Sequence, residues 1–363
     1  MIDRLRMDLL DLMCVPGLSG YETRVRQAIR GRLPDGILGT TDALGNLIVT
    51  FEGTGPSVML FTHMDQLGFF VRRIEDNGLI RVERMGGVPE RALAAQPVVL
   101  CPPGRPDVPG IITNKSHHAT TPDEKYVIVK APDLTIDTGH GSRAQVEAAG
   151  ICIGTPVVYQ PRAKLLGETR VTGTAVDDRA GCAMLLEVAR QLANRTKGPT
   201  VHLVFSVQEE FNLRGAVVAA QVLQPDIALQ IDLMNGSDTP DMADRGDMVL
   251  GGGPGISLYS FHGRGTLNGV IPHPALVALF EDTAEVENIP LQRSAQVGVL
   301  TDLSYVQTVG AGVASLDIGF PMRYSHSANE MCDLRDLEGL TTLTLAALSR
   351  IGPDFSLNRD DYP

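Results

Sequence analysis

The sequence predicts an α/β protein, a mostly parallel sheet with helices on both faces, into which a small β-rich, barrel-like domain is inserted. Three observations carry this. Apolar runs of strand length alternate with helical stretches toward both ends of the chain, the β-α-β rhythm of a parallel sheet. Between about Gln66 and Lys164 that rhythm stops, and Pro, Gly and short strands take over; it resumes at Asp177. The best-defined run, Val201-His-Leu-Val-Phe-Ser-Val-Gln-Glu-Glu210, has neither Gly nor Pro and reads as a central strand covered on both faces. The expected division is therefore 1–66 with 165–363 for the α/β part and 67–164 for the insertion.

The elements follow in order. Arg4 to Cys14 carries Leu5, Leu9, Leu12 and Met13 at helical spacing and stops before Val15-Pro-Gly. Glu22 to Leu33 is a second helix, with Val25, Ala28, Ile29 and Leu33 inward. Asp42 to Thr50 and Ser57 to Thr62 are strands, and the second delivers His63 and Asp65. Phe69–Ile74 and Leu79–Met85 flank Asn77-Gly78, a strong hairpin signal. Ser142 to Ala149 is a short helix capped by Ser142 and Gln145. Beyond the insertion come a helix from Asp178 to Leu192, the Val201 strand, a helix from Leu213 to Leu223 and a strand from Asp226 to Asp232. A helix from Pro274 to Glu287, a strand from Ala314 to Phe320 and a last helix from Leu334 to Ile351 complete the chain.

Composition narrows the partners. With 363 residues and 43% hydrophobic content the chain can fill a sizeable core. Its 43 acidic and 31 basic residues give a formal net charge of -12, which argues against nucleic acid or an anionic membrane. No apolar run approaches the ~20 residues that cross a bilayer, and Met1-Ile-Asp-Arg-Leu-Arg is charged at once, so a cytosolic protein is expected. The five cysteines are scattered and never form C-x-x-C, which suggests neither a disulfide frame nor a thiolate zinc site.

Chemistry concentrates where strands end. His63 and Asp65, Asp177 and Asp178, Glu209 and Glu210, Asp232, and His326 all follow apolar strands, and in a parallel sheet such ends share one edge. Carboxylates crowded there would raise one another's pKa unless cations sat among them. Three ligating carboxylates, two divalent ions and a hydroxide nearly balance in charge, the pattern of two-metal hydrolytic sites with ions ~3.5–4 Å apart. Imidazole and carboxylate without thiolate suit zinc, cobalt or manganese. Singly, each of these residues is as readily a strand-end carboxylate, a helix cap or a core histidine. Five such places in order are far harder to explain that way.

The ordered blocks Thr62-His-Met-Asp-Gln-Leu-Gly68, Thr174-Ala-Val-Asp-Asp-Arg-Ala-Gly181, Ser206-Val-Gln-Glu-Glu210 with Leu213-Arg-Gly-Ala216, Ile231-Asp-Leu with Asp238-Thr-Pro240, and Arg323-Tyr-Ser-His-Ser327 with Glu330 resemble one family. It is the dinuclear metallo-aminopeptidase family of glutamyl aminopeptidases, tetrahedral (TET) deblocking aminopeptidases and proteins labelled endoglucanase or cellulase. The resemblance spans nearly the whole chain and implies a zinc-exopeptidase-like catalytic domain. It implies two divalent ions per subunit, zinc first, with cobalt or manganese as alternatives. His63 and Asp232 would hold one ion, Glu210 and His326 the other, and Asp177 would bridge them. Glu209 would be the general base and Asp65 would orient His63. Arg323, near His326, is a candidate for holding substrate. His118 is a second candidate, because Ser116-His-His118 resembles a loop near the active site in relatives. The insertion resembles the family's dimerisation domain, which implies dimers and a larger, dodecameric particle. Gln66, Asn212 and Ala328 depart from the residues usual in the family, but none is a ligand.

The expected function is thus removal of amino-terminal residues from peptides. The alternatives are an amidase or deacylase on N-acylated amino acids or amino sugars, an endoglucanase, and a non-catalytic assembly protein stabilised by metal. The absence of Trp weighs against the endoglucanase, and glycosidases need a carboxylate pair free of metal.

Overall fold

The computed structural model describes residues 1–263 and 268–362. At its centre four strands run parallel, in the order Val201–Ser206, Val58–His63, Ile227–Asn235 and Ala314–Arg323. They belong to a sheet of 12 strands among the described residues. On one side Leu47–Phe51 pairs antiparallel with Val201–Ser206. On the other, Glu330–Asp333, Arg170–Gly173 and Ala163–Leu166 extend the sheet in antiparallel steps. Ala163 and Lys164, placed in the insertion from sequence, thus pair with Gly173 and Thr172 in this sheet.

The central strands are apolar at almost every position because both faces are covered. Successive side chains point to opposite faces. Val58 and Leu60 pack into the larger core with Leu5, Leu9 and Leu12 of the first helix, Ile2–Met13, and with the helices Val176–Leu192 and Leu334–Arg350. Met59 and Phe61 pack into a smaller core with Ala216, Ala219 and Ala220 of the helix Gly215–Leu223 and with Leu303 and Val306. This two-sided burial is what makes the strand ends, rather than the strand faces, the accessible part of the sheet.

Six strands form a closed barrel, in the order Gly68–Ile74, Ile80–Met85, Thr135–Asp137, Val108–Ile112, Pro97–Leu100 and Pro156–Tyr159. The Asn77-Gly78 hairpin joins the first two, with Gly78 at φ 85°, a left-handed conformation that Gly adopts without a Cβ clash. Phe69, Val71, Val82, Ile136 and Val157 fill the barrel as a core of its own. The Ser142 hydroxyl accepts from the Gln145 N–H and caps the helix Arg143–Ala148 as expected.

Two expectations shift. The strand expected from Asp42 begins only at Leu47, because the Asp42 carboxylate accepts the N–H groups of Leu44, Gly45 and Asn46 and holds a turn there. Strands at Gly255–Phe261 and Gln292–Val297 carry no clear signal, and the second, Gln-Arg-Ser-Ala-Gln-Val, is largely polar. No helix among the described residues is long and apolar enough to cross a membrane.

Candidate metal centre

His63 closes its strand beside Ser206 of the neighbouring one. The chain leaving Ser206 therefore carries Glu209 and Glu210 over the same edge. Asp177 follows the strand Arg170–Gly173, Asp232 lies in Ile227–Asn235, and His326 follows Ala314–Arg323. Non-glycine residues at positive φ cluster here: Ala175 at 57°, Gln208 at 57° and His326 itself at 65°. Such conformations cost about 1 kcal/mol or more each and persist where the surroundings enforce them.

Two groups of ligand atoms converge at this edge. His63, Asp178 and Asp232 lie within 4.8 Å of one another, and so do Asp177, Glu210 and His326. Asp177 spans the two: its Oδ1 lies 2.9 Å from His63 Nε2 and its Oδ2 lies 3.5 Å from His326 Nε2. Asp178 offers an atom to the first group, but its carboxylate already accepts from the Thr62 hydroxyl and from the Gly181 N–H at 2.9 Å. All five residues expected as ligands are thus brought together, with Asp178 as a sixth neighbour.

The electrostatics call for cations. Burial, reinforced by Asp177, pushes the Asp232 carboxyl up to about 7. Burial likewise pushes the Glu209 and Glu210 carboxyls well above the carboxylate range, with neighbouring acids adding to it. His63 goes the opposite way to a buried imidazole: burial favours its neutral form, yet the Asp177 and Asp65 carboxylates outweigh it and hold its pKa well up. Glu210 Oε1 is buried and has no hydrogen-bond partner among the described residues. An orphaned carboxylate oxygen, in a set of imidazole and carboxylate donors, fits a divalent cation. Thiolate ligation does not fit. Cys182 is buried beside the site with its thiol pushed up to about 12 by burial, and it donates to the His63 carbonyl at 3.3 Å.

Two acids hold the frame without joining either group. Asp65 accepts the Glu209 N–H at 3.0 Å and the Glu210 N–H at 3.1 Å. Its carboxylate also lies 3.5 Å from His63 Nδ1, and its backbone carbonyl is nearer, at 3.2 Å. Glu330 accepts the Asp177 N–H at 3.1 Å and the His326 N–H at 2.8 Å. Its bracing role was not read from sequence, although an acid four residues past His326 in the same block is a signal.

The two substrate candidates make contacts of their own. Arg323 donates through Nε and Nη2 to Asp238 at 2.7 and 2.6 Å, and Asp238 also accepts the Leu250 N–H, so this guanidinium braces a loop. His118 is exposed in the turn His117–Ala119, its ring against that of His117 and outside both ligand groups.

The family model described as M42 glutamyl aminopeptidase matches residues 45–343. The chain is 38% identical over 331 residues to SgcX, an Escherichia coli (strain K12) protein named as an aminopeptidase, covering 89% of this chain and 88% of the relative. It is 31% identical over 352 residues to the lysyl aminopeptidase of Pyrococcus furiosus, covering 94% and 96%. The solved structure of the Pyrococcus horikoshii TET1 peptidase, described as able to assemble into a tetrahedron or a large octahedral shell, matches with a TM-score of 0.86. That match has 27% identity and covers 95% of this chain and 99% of the other.

Proposed function

The chain belongs to the M42 glutamyl aminopeptidase family, and on that premise we propose that Glu209 is the general base of a metal-dependent aminopeptidase acting on short peptides. The supporting observation is the pair of ligand groups joined by Asp177, one oxygen facing each imidazole. We assign His63 and Asp232 to one ion, Glu210 and His326 to the other, and Asp177 to both. Asp178 is left out because its carboxylate is already bonded to Thr62 and Gly181. The ions would be zinc, with cobalt or manganese as alternatives.

When bound, a divalent pair would polarise the scissile carbonyl and lower the pKa of a water. The chain's own residues do the rest. Glu209, buried at the rim, would take a proton from the attacking water and pass it to the leaving amine. Asp65 holds the Glu209–Glu210 backbone so that the two carboxylates diverge into different tasks. Glu330 fixes Asp177 and His326 through their N–H groups.

We assign the barrel, within 67–164, to dimerisation and the dimers to a larger closed particle, as the assembly described for the Pyrococcus horikoshii peptidase suggests. Peptides are favoured over N-acylated amino acids and over polysaccharides by the family and by the peptidases it resembles. Family names do not choose the first residue, since glutamyl and lysyl aminopeptidases are both among them.

The test is Glu209→Gln. Metal content by mass spectrometry should stay at the wild-type level while aminoacyl-anilide turnover falls by about 10²–10⁴-fold. Near-normal turnover in that variant would overturn the role of Glu209.

A further inference from the structure

Gln230 lies in the strand Ile227–Asn235, two residues before Asp232, and is 0% exposed. Side chains two apart on a strand share a face, so Gln230 stands on the face where Ala228 packs with Leu303 and Val306 of the helix Leu303–Val306. An amide buried among apolar groups is costly unless both of its ends find partners. Both do. Gln230 Oε1 accepts the Leu303 N–H at 2.6 Å, and Nε2 donates to Asp232 Oδ2 at 3.0 Å. This pairing settles the direction of the amide: a backbone N–H can only donate, so the carbonyl end meets Leu303 and the NH₂ end is left for the carboxylate.

Asp232 is held at its other oxygen too, since Oδ1 accepts the Leu233 N–H at 2.6 Å. With a donor on each oxygen the carboxylate is fixed in rotation. It keeps room for a cation, because an ionised carboxylate offers about four acceptor sites. Asp65 and Glu330 brace other residues of this edge through backbone N–H groups. For Asp232 it is the carboxylate itself that is held, by a side chain reaching it from inside the sheet. The far end of that side chain is anchored in turn: Leu303 follows Asp302, whose Oδ2 accepts from the Ser206 hydroxyl at 3.2 Å.

We propose that Gln230 is the positioning residue of Asp232, setting the direction in which that carboxylate meets the ion assigned to Asp232 and His63. The proposal rests on that assignment and adds a residue to it. A carboxylate already ordered meets a cation without first losing its rotational freedom, and groups that orient ligands carry about 10–100-fold in metal affinity. A residue that only fastened the helix Leu303–Val306 to the sheet would need the Leu303 bond alone, and its loss would leave metal binding unmoved.

The experiment titrates the assembled protein, stripped of metal, with cobalt(II) followed by visible absorption and with zinc followed by calorimetry. Wild type is compared with Gln230→Met, Gln230→Asn and Val306→Ala, with far-UV circular dichroism reporting on folding. Gln230→Met keeps the length of the side chain but has no donor for Asp232. One of the two binding steps should weaken by about 10–100-fold while the other is kept, and the cobalt band should change even at saturating metal. Gln230→Asn keeps an amide one methylene too short to bridge Leu303 and Asp232; it should lose the same step, and it carries the test if Gln230→Met does not fold. Val306→Ala removes buried methyl groups from the same helix, so it should lower the melting temperature and leave both steps and the cobalt band as in wild type. Wild-type binding steps and cobalt band in the folded Gln230 variants would overturn the inference. An equal loss in Val306→Ala would overturn it too, by tracing the effect to packing. Either result leaves the metal-dependent reading intact. A wild-type protein that takes up neither cobalt nor zinc would overturn that reading, and this inference with it.

Discussion

Asp65 shows how much a single side chain does at this edge. It lies two residues from His63, and the family resemblance gives it the task of orienting that imidazole. In the structure its two oxygens are occupied by the Glu209 and Glu210 N–H groups, while His63 Nδ1 is nearer the Asp65 carbonyl than its carboxylate. Burial works against its ionisation, but the His63 contact and the Glu209 N–H hold its pKa below the usual value. Asp65→Ala should therefore release the turn bearing both glutamates. We expect a loss of about 10–100-fold in activity or metal affinity, the range of groups that orient ligands. Steady-state kinetics and metal titration of the variant check this, and unchanged values in both would remove Asp65 from the frame. Asn keeps one acceptor oxygen and presents an amide NH₂ to the other N–H, so Asp65→Asn should fall between.

At the level of elements, the strands with two covered faces were legible because unbroken apolar runs have few other uses. Val58–His63 is buried at every position, and Val201–Ser206 at all but His202. Their ends share an edge because these strands run parallel, which is why the acids and imidazoles that follow them are read as neighbours; that His63, Asp177, Glu210, Asp232 and His326 are the ligands is what the family resemblance implies, and Asp177 follows a strand paired antiparallel. What escaped were elements whose pattern is set by neighbours. Gln292–Val297 is a strand because Gly255–Phe261 offers its edge, not because its residues favour one. Glu330 stands in the Arg323–Ser327 block, but its bracing task was not legible for a similar reason: it depends on which backbone N–H groups the fold brings to it. The turn after Ser206 gives a test at this scale. Gly215 opens the following helix against Val207, and an added Cβ would collide with the Val207 carbonyl oxygen. Asn46 ties the same place, accepting the Val207 N–H and donating to the Gly215 carbonyl. Gly215→Ala should cost about 1–3 kcal/mol in a denaturant melt, and wild-type stability would mean that the contact relaxes freely.

For the molecule as a whole, the acids at the sheet edge link stability to pH. Asp232 and Asp302 have folded-state values of about 7 and about 8, raised mainly by burial from 3.8. A carboxyl whose pKa is raised on folding stabilises the protein fully at pH below its unfolded value, and that contribution is lost as pH rises through the folded value. The metal-free protein should thus melt at progressively lower temperature between about pH 4 and pH 8. Saturating metal should flatten that decline, since cations favour the ionised form of the ligands. Calorimetric melts with chelator and with zinc across this window test it, and a metal-free protein that gains stability toward pH 8 would contradict it. The barrel strand Val108–Ile112 meanwhile presents exposed Ile111, and the segments that join the barrel strands present exposed Val127, Ile128 and Ile153. Exposed groups of this kind mark contact surfaces. In native mass spectrometry the wild type should run as a multimer built from dimers, and Ile111→Asp with Ile128→Asp should shift it toward smaller species. An unshifted distribution would place the subunit contacts elsewhere.

Residues far apart in the chain meet at one edge, and by our proposal they hold two divalent ions there. The direct measurement is metal stoichiometry by inductively coupled plasma mass spectrometry on protein reconstituted with zinc, comparing wild type with His63→Ala, His326→Ala and Asp177→Ala. Two ions per chain are expected in the wild type, with a lowered count when either imidazole is removed and the largest loss for Asp177. A wild-type chain that takes up no zinc, or an Asp177 variant that keeps both ions, would contradict it.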